Sequence, residues 1–295
     1  MSDAPERRRS SPTETRERAN RSIARGGYGS APYSDTIHRW DWFRRSQWRP
    51  SFLDRMLKAG GASCRTVLKV IGDPAGKLVF DATCGLGRKT LVLSHLGVKV
   101  VGADASAYAV GKARELASGE GHSIEFFVSE WRCLPERVPH RFDAVFLDAF
   151  LDCCETYDDL AASFAGIAGV LKPGGAFIYF GLEPGEKLAE VLEGAWRASG
   201  PFSLAWHHAE GGCECTCLHA NYRGPDFIDN HHLFIIKEGP ANVRLETATV
   251  RRLFRHDRAA LAAAARGAGF CGIRTHCFEG CTFDGAPLLR IIARK

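Results

Sequence analysis

The segment "LVFDATCGLGRKTL", residues 78 to 91, carries the reading of the whole chain. Three apolar residues end in Asp81, glycines follow at 85 and 87, and a basic stretch with a helical pattern comes next. Strand, glycine turn and helix in that order predict the first unit of an open α/β sheet, where ligands bind at the carboxyl ends of the strands. Glycine has no Cβ, so the backbone at 85 and 87 can approach a ligand closely and take dihedrals that other residues resist. A P-loop needs glycine immediately before its lysine, but Arg88 precedes Lys89 and Thr83 stands where the earlier glycine belongs. A dinucleotide fingerprint continues to a third glycine, and position 90 is threonine.

Charge separates the remaining ligands. Asp81 ends the strand where a pyrophosphate would pass, and two anions in a partly dehydrated turn repel by roughly several kcal/mol. A cationic ligand reverses the sign. S-adenosylmethionine carries a sulfonium and an ammonium, so Asp81 reads as serving its amino-acid end while Gly85 and Gly87 admit the nucleoside. Asp104 closes the next apolar run in "VVGADAS", about 20 residues past the turn, where an acid can accept hydrogen bonds from ribose hydroxyls. NAD would ask for the same acid, and "GADAS" also reads as a plain strand end and helix N-cap.

Outward from this turn, short apolar runs alternate with helical patterns, the signature of a parallel, doubly wound sheet. Strands are predicted at 77–81, 98–104, 124–128, 142–148 and 176–180, with helices at "AYAVGKARELAS" and "DDLAASFAGIAGVLKPGG", the latter stopped by proline and glycine. After a helix near 186–199 the rhythm breaks into four extended stretches, "FSLAWHH", "CECTCLHANY", "HHLFIIKEG" and "VRLETATV", predicting an antiparallel β insertion over 200–252. The α/β pattern resumes over 253–295, completing a core that begins at 63–199. Ahead of it, 28–62 is aromatic and basic, with tyrosines at 28 and 33 and tryptophans at 40, 42 and 48, and reads either as a helical lid or as an ordinary packing helix. Residues 1–27 are rich in Arg, Glu, Ser and Pro and predict a disordered basic tail, because so little apolar surface cannot offset ordering entropy.

Bulk properties narrow the setting. The 295 residues are 45% hydrophobic and 25% charged, an ordinary globular balance, and the net charge of +5 is concentrated near the N-terminus rather than along a helix face. No apolar run approaches the roughly 20 residues needed to cross a bilayer. The expectation is a soluble, cytoplasmic protein with no membrane partner. Eleven cysteines, two of them adjacent at 153 and 154, show no secreted disulfide framework and are expected to be reduced. Nucleic acid is disfavoured as a partner, since residues 1–27 hold no lysine and the chain has no Asn-Pro-Pro-Tyr-like motif after the fourth strand. A homo-oligomer is compatible with the sequence.

Four motifs together resemble the class I S-adenosylmethionine-dependent methyltransferases, over roughly 77–180 and again over 258–295. "VFDATCGLG" is similar to that family's first motif, "VGADAS" to its ribose-binding acid, "FDAVFLDAF" to its fourth-strand motif and "LKPGGAFIYF" to its post-motif turn and fifth strand. The resemblance implies a Rossmann-like, seven-stranded mixed sheet whose last strand runs antiparallel. It places Asp81, Gly85 and Gly87 around the methionine moiety, Asp104 with its neighbour Ala105 on the ribose, and Glu130 and Trp131 of "SEWRCLP" on adenine. Trp131 reads equally as plain core. Tyr33 and Asp148 complete the residues expected near the cofactor. Within the family the aromatic leader and the long insertion are similar to small-molecule enzymes of the glycine N-methyltransferase type. Where that type has a Gly-Asn-Ser stretch, this chain has Ala149-Phe150-Leu151, so its substrate is not carried over.

Methyl transfer from a sulfonium is an in-line displacement that needs no metal and no covalent intermediate, and none is assigned. Holding the reacting atoms in near-attack geometry supplies up to roughly 7 to 11 kcal/mol in favourable intramolecular cases. Asp148, closing the fourth strand, is the first candidate for orienting or deprotonating an amine acceptor, though it also reads as a helix cap or the partner of an arginine. His231 and His232 are further catalytic candidates, because strand alternation sends one to each face. Tyr222, like Tyr33, offers a hydroxyl or a ring face to a substrate ammonium, and Glu183 is a similar candidate. Cys213, Cys215 and Cys217 share one face if "CECTC" is extended. They read either as small buried hydrophobes or as ligands for a soft metal or an arsenite-like metalloid, which keeps thiol or metalloid methylation, and oxygen methylation, as alternatives to nitrogen.

Overall fold

The structure, a computed structural model, describes residues 31–45, 62–148, 154, 156–182, 190, 193–194, 202–225, 227–253, 256–283 and 286–295. Its elements run α1 (Ala31–Arg44), α2 (Ala62–Ile71), β1 (Leu78–Asp81), α3 (Arg88–His95), β2 (Lys99–Asp104), α4 (Ala107–Gly119), β3 (Glu125–Val128), a 3-10 turn at Trp131–Cys133, α5 (Leu134–Arg137), β4 (Phe142–Asp148), α6 (Tyr157–Val170) and β5 (Leu171–Leu182). Then follow β6 (Phe202–Glu210), β7 (Cys213–Arg223), β8 (Phe227–Glu238), β9 (Asn242–Leu253), α7 (Arg258–Gly267), β10 (Cys271–Phe283) and β11 (Ala286–Arg294).

Seven strands form one sheet in the order β10-β11-β5-β4-β1-β2-β3, and the other four form a meander, β6-β7-β8-β9. In the large sheet β1 to β5 pair in parallel and β11 runs antiparallel to both its neighbours. Strand order reverses between β1 and β4, which puts the topological switch point at the glycine turn. The α/β class, the mixed seven-stranded sheet and the separate antiparallel sheet expected from the sequence are all present.

Both faces of the parallel strands are covered. Phe80, Val145 and Phe177 belong to a core under α6 and α7, while Val79, Phe146 and Ile178 belong to a second core under α2 and α3. Phe80 is fully buried and stacks on Phe142 with ring centroids 4.6 Å apart. The helix starts are specified by local chemistry. Thr156 and Asp159 make a reciprocal capping box on α6, Ser106 accepts from the Ala109 amide at the start of α4, and Asp257 caps α7.

Three boundaries depart from the sequence reading. The fifth strand begins at Leu171 rather than 176, because Leu171 already pairs with Phe142 and the Gly174-Gly175 backbone exchanges hydrogen bonds with Lys295. The insertion's last strand ends at Leu253, one residue past the expected boundary. Helix α2, whose Cys64 and Val67 are buried in the second core, was given no element by the pattern. The predicted tail at 1–27, most of the helix near 186–199, Glu183 and Ala149-Phe150-Leu151 lie outside the described residues. Among the described residues no helix is long and apolar enough to cross a membrane.

Helix α1 bridges the two sheets. On the core side the Asp35 carboxylate accepts from the Ser106 hydroxyl at 2.5 Å and the Tyr108 amide at 3.1 Å, at the start of α4. On the insertion side Trp40 is buried among Cys215, Cys217, Phe234, Ile236 and Ala248, and its indole donates to Glu246 at 2.8 Å.

Candidate functional site

The glycine turn is held from beneath by Asp81, whose side chain is almost wholly buried. One carboxylate oxygen accepts from the Thr83 amide at 3.2 Å, the other from the Thr90 hydroxyl at 2.7 Å. Thr90, the residue that breaks the dinucleotide fingerprint, is therefore a hydrogen-bond donor to the acid, and it is fully buried. Burial pushes the Asp81 pKa up to about 6, against the opposing pull of the Thr90 and Thr83 bonds and of the Lys89 charge. Thr83 works on both sides of the switch point, since its hydroxyl accepts from the Asp148 amide at 2.9 Å.

Asp104 braces the turn from β2. Its carboxylate accepts from the Gly85 amide and from the Ser106 amide, each at 3.0 Å. A carboxylate has about four acceptor positions, so two remain for another donor. Gly85 and Gly87 both have positive φ, 49° and 80°. They differ in what they face. A Cβ on Gly85 would meet only His38 Nε2 of α1, at 3.6 Å, whereas a Cβ on Gly87 would lie 2.8 Å from Ala113 Cβ. Gly87 thus permits the close approach of α4, while the Cβ direction of Gly85 points toward α1.

Around the rim, charges are paired. Arg88 donates to Asp41 of α1 at 2.8 Å, as do Arg44 and Arg45. Burial opposes ionisation of Asp41, but the guanidiniums outweigh it and hold its pKa below the usual range. Lys89 pairs with Asp148 at the end of β4, and burial lowers the pKa of that ammonium. An ion pair of Asp148 with arginine is the alternative expected from the sequence; the partner is a lysine instead.

After β3, Glu130 is engaged by Arg132 at 2.6 Å, and Trp131 donates its indole N–H to the Ala82 carbonyl at 2.9 Å while packing on the main core. Ala105 follows Asp104 directly into the cap of α4. Tyr33 belongs to α1, with its side chain outside the described residues. Tyr222 is exposed and its ring is tilted against Phe227, with centroids 6.1 Å apart.

The two histidines separate as alternation requires. His231 stands exposed on the outer face of the meander, within 2.8 Å of the Thr249 hydroxyl, and is thereby removed from the space next to α1. His232 stands on the inner face, where its ring stacks near Phe234 and meets His219 edgewise. Cys215 and Cys217 are buried on that same face and Cys213 is half-buried, so the shared face of "CECTC" is real and most of its thiol surface packs under Trp40. Sequence reasoning missed Thr83, Thr90, Asp35 and the Asp41–Arg88 pair. Only the threonines carried a signal, as polar residues replacing glycines in a glycine motif.

A doubly wound sheet whose switch point presents a buried acid, an open glycine and a second acid with spare acceptor positions defines a nucleoside-cofactor site suited to a cationic donor. Residues 79–175 match the methyltransferase domain family, and this match together with the relatives below supports a class I S-adenosylmethionine-dependent methyltransferase. The chain is 24% identical over 159 residues to the S-adenosyl-L-methionine-dependent Diels-Alderase iliD of Neonectria sp., covering 53% of this chain and 58% of that protein. It is 28% identical over 149 residues to a ubiquinone biosynthesis O-methyltransferase of Nitrosococcus oceani, covering 50% and 59%. A glycine/sarcosine N-methyltransferase of Aphanothece halophytica is 28% identical over 147 residues, covering 48% and 50%. This chain therefore spans only about half the length of such curated relatives. Among solved structures, the sugar N-methyltransferase KedS8 from Streptoalloteichus superposes with a TM-score of 0.60 at 15% identity, covering 80% of this chain and 88% of that one.

Proposed function

We propose that this protein transfers a methyl group from S-adenosylmethionine to a small molecule, with an amine nitrogen as the acceptor. The observation that carries the reading is the pair of acids at the switch point, Asp81 and Asp104, held by backbone amides and threonines around an open Gly85. The residues present fit the donor: the buried carboxylate answers a cationic amino-acid end, and the spare acceptor positions of Asp104 answer ribose hydroxyls. When bound, the donor supplies an electrophilic methyl on a positively charged sulfur. Everything else falls to the chain.

Its first task is positioning. The turn is rigid because Asp81 and Asp104 tie four backbone or hydroxyl donors together, so the donor is met by a surface that needs no reorganisation. A second task is exclusion of water, for which α1 is placed: it docks on α4 through Asp35 and puts His38 over Gly85. Handling the acceptor's proton is a third. Asp148 closes β4 at the switch point and pairs with Lys89, which supports reading it as the group that meets the acceptor. A carboxylate there stabilises the positive charge that develops on an attacking amine and can take its proton. His231 is not carried forward, because it faces away. Nitrogen is favoured over oxygen by that carboxylate and by the N-methyltransferase relative, while the O-methyltransferase relative keeps oxygen as the second reading.

Calorimetry with S-adenosylhomocysteine tests donor binding directly; saturable one-to-one uptake is expected, and no uptake ends the reading. With a 13C-methyl donor, the chemical shift of the transferred carbon then identifies nitrogen, oxygen or sulfur as acceptor. Asp148→Asn should leave donor affinity nearly unchanged and lower turnover by about 10²- to 10⁴-fold. Unchanged turnover would remove Asp148 from the mechanism.

A further inference from the structure

We propose that Cys217, His219 and His232, on the inner face of the β7-β8 pair, form a binding site for a zinc-type divalent cation. The site is separate from the donor turn and does not rest on the methyl-transfer reading.

Register brings the three together. Cys217 and His219 are two apart on β7 and so share a face, and His219 pairs across the ladder with His232 of β8. Their ligand atoms all lie within 4.8 Å of one another, and Cys217 Sγ is 4.0 Å from His232 Nδ1. Metal–sulfur and metal–nitrogen bonds of about 2.3 and 2.0 Å at tetrahedral angles put such atoms roughly 3.3 to 3.5 Å apart, so the Cys217–His232 pair closes by about half an ångström and no pair has to close by more than about 1.5 Å, within reach of side-chain rotation. One thiolate with two imidazoles is a borderline-soft donor set of the kind that selects zinc over magnesium or calcium.

The surroundings favour metal over an alternative use of these groups. Cys217 is fully buried, and its sulfur makes only long contacts, at 3.9 Å to the Leu218 carbonyl and 4.0 Å to His232. The other charged or titratable groups on the faces packed here include Cys213 and Cys215 on β7, His208 and Glu210 on β6, Arg244 and Glu246 on β9, and Arg39 and Arg44 on α1. Arg44 is charge-compensated by Asp41 at 2.8 Å. Three protein ligands leave a fourth position, as in zinc sites that accept a water or a further donor.

The test uses the full chain, kept reduced with a phosphine rather than a thiol, and titrated with cobalt(II) and then zinc. One equivalent of cobalt should produce a thiolate-to-cobalt charge-transfer band, displaced by zinc. Cys217→Ser should abolish the band, His219→Gln or His232→Gln should weaken binding at least tenfold, and His231→Gln, on the outer face, should bind as the parent does. Because one thiol proton leaves, affinity should fall about tenfold per pH unit on acidification. Circular dichroism identifies variants that fold, and if Cys217→Ser does not, the two inner histidine variants decide. No cobalt band in the parent, a band unchanged in Cys217→Ser, or equal loss in His231→Gln and His232→Gln overturns the proposal.

Discussion

The donor turn and the inner face of the meander are built on opposite plans. At the turn, the hydrogen-bonded frame lies between residues 81 and 106, and the backbone itself is the chemistry: amides of Thr83, Gly85 and Ser106 point at two carboxylates. On the meander, side chains from three regions of sequence meet, Trp40 from α1, Cys217 and His219 from β7, and His232 from β8, and nothing connects them but register and packing. A site written in consecutive residues constrains dihedrals. One assembled by register constrains faces.

That contrast can be broken at a glycine. Gly87→Val puts a branched side chain at φ 80° and drives a Cβ to 2.8 Å from Ala113, so a stability loss of about 3 kcal/mol or more is expected in denaturant unfolding. Gly211→Ala, in the β6-β7 hairpin, also has positive φ at 58° but meets nothing within 4 Å, and should cost only about 1 kcal/mol. Equal losses would mean that the turn is no more constrained than the hairpin.

Asp81 sharpens the comparison through pH. Its folded pKa of about 6 lies above the ordinary aspartate value of 3.8, so the folded state binds more protons than the unfolded one across that window. The acid is most favourable to the fold below about pH 4, and stability is lost as pH rises through about 6. The buried charge thus opposes folding by up to about 3 kcal/mol at pH 8. Asp81→Asn should raise the melting temperature at pH 8, lose that advantage near pH 4, and bind S-adenosylmethionine more weakly at both the sulfonium and ammonium ends. A variant that is less stable at pH 8 would show that the acid is a structural strut rather than a strained functional group.

The smallest expected effect lies on the meander side. Trp40→Phe keeps the ring among Phe43, Phe234 and the buried cysteines but removes the indole donor to Glu246, for a loss of about 1 kcal/mol. Thermal unfolding together with S-adenosylhomocysteine affinity reads the outcome; a loss comparable to that of Gly87→Val would place the helix contact among the main supports of the fold.

The same division explains what could be read in advance. The sheet, the insertion and the two acids were legible because strands 78–81, 99–104 and 142–148 end in aspartates and alternate with helical patterns. The thiol face of "CECTC" was legible from alternation alone. What stayed hidden needed partners distant in sequence. Nothing near Thr90 says that its hydroxyl reaches back to Asp81, nothing in "DTIHRW" says that Asp35 will start α4, and His219 gains its meaning only when the ladder sets it opposite His232. Helix α2 escaped notice because its cue is a buried stripe against a sheet that the sequence presents later.

One helix touches both plans. Asp35 and Trp40 sit five residues apart on α1, little more than a turn of helix, yet the first grips the start of α4 and the second the edge strand β9. Whatever free energy a ligand at the nucleoside end adds to one grip must be returned in equal measure to whatever occupies the far side, since linkage between two binding equilibria is reciprocal. Any such exchange would pass through the fourteen residues of this helix.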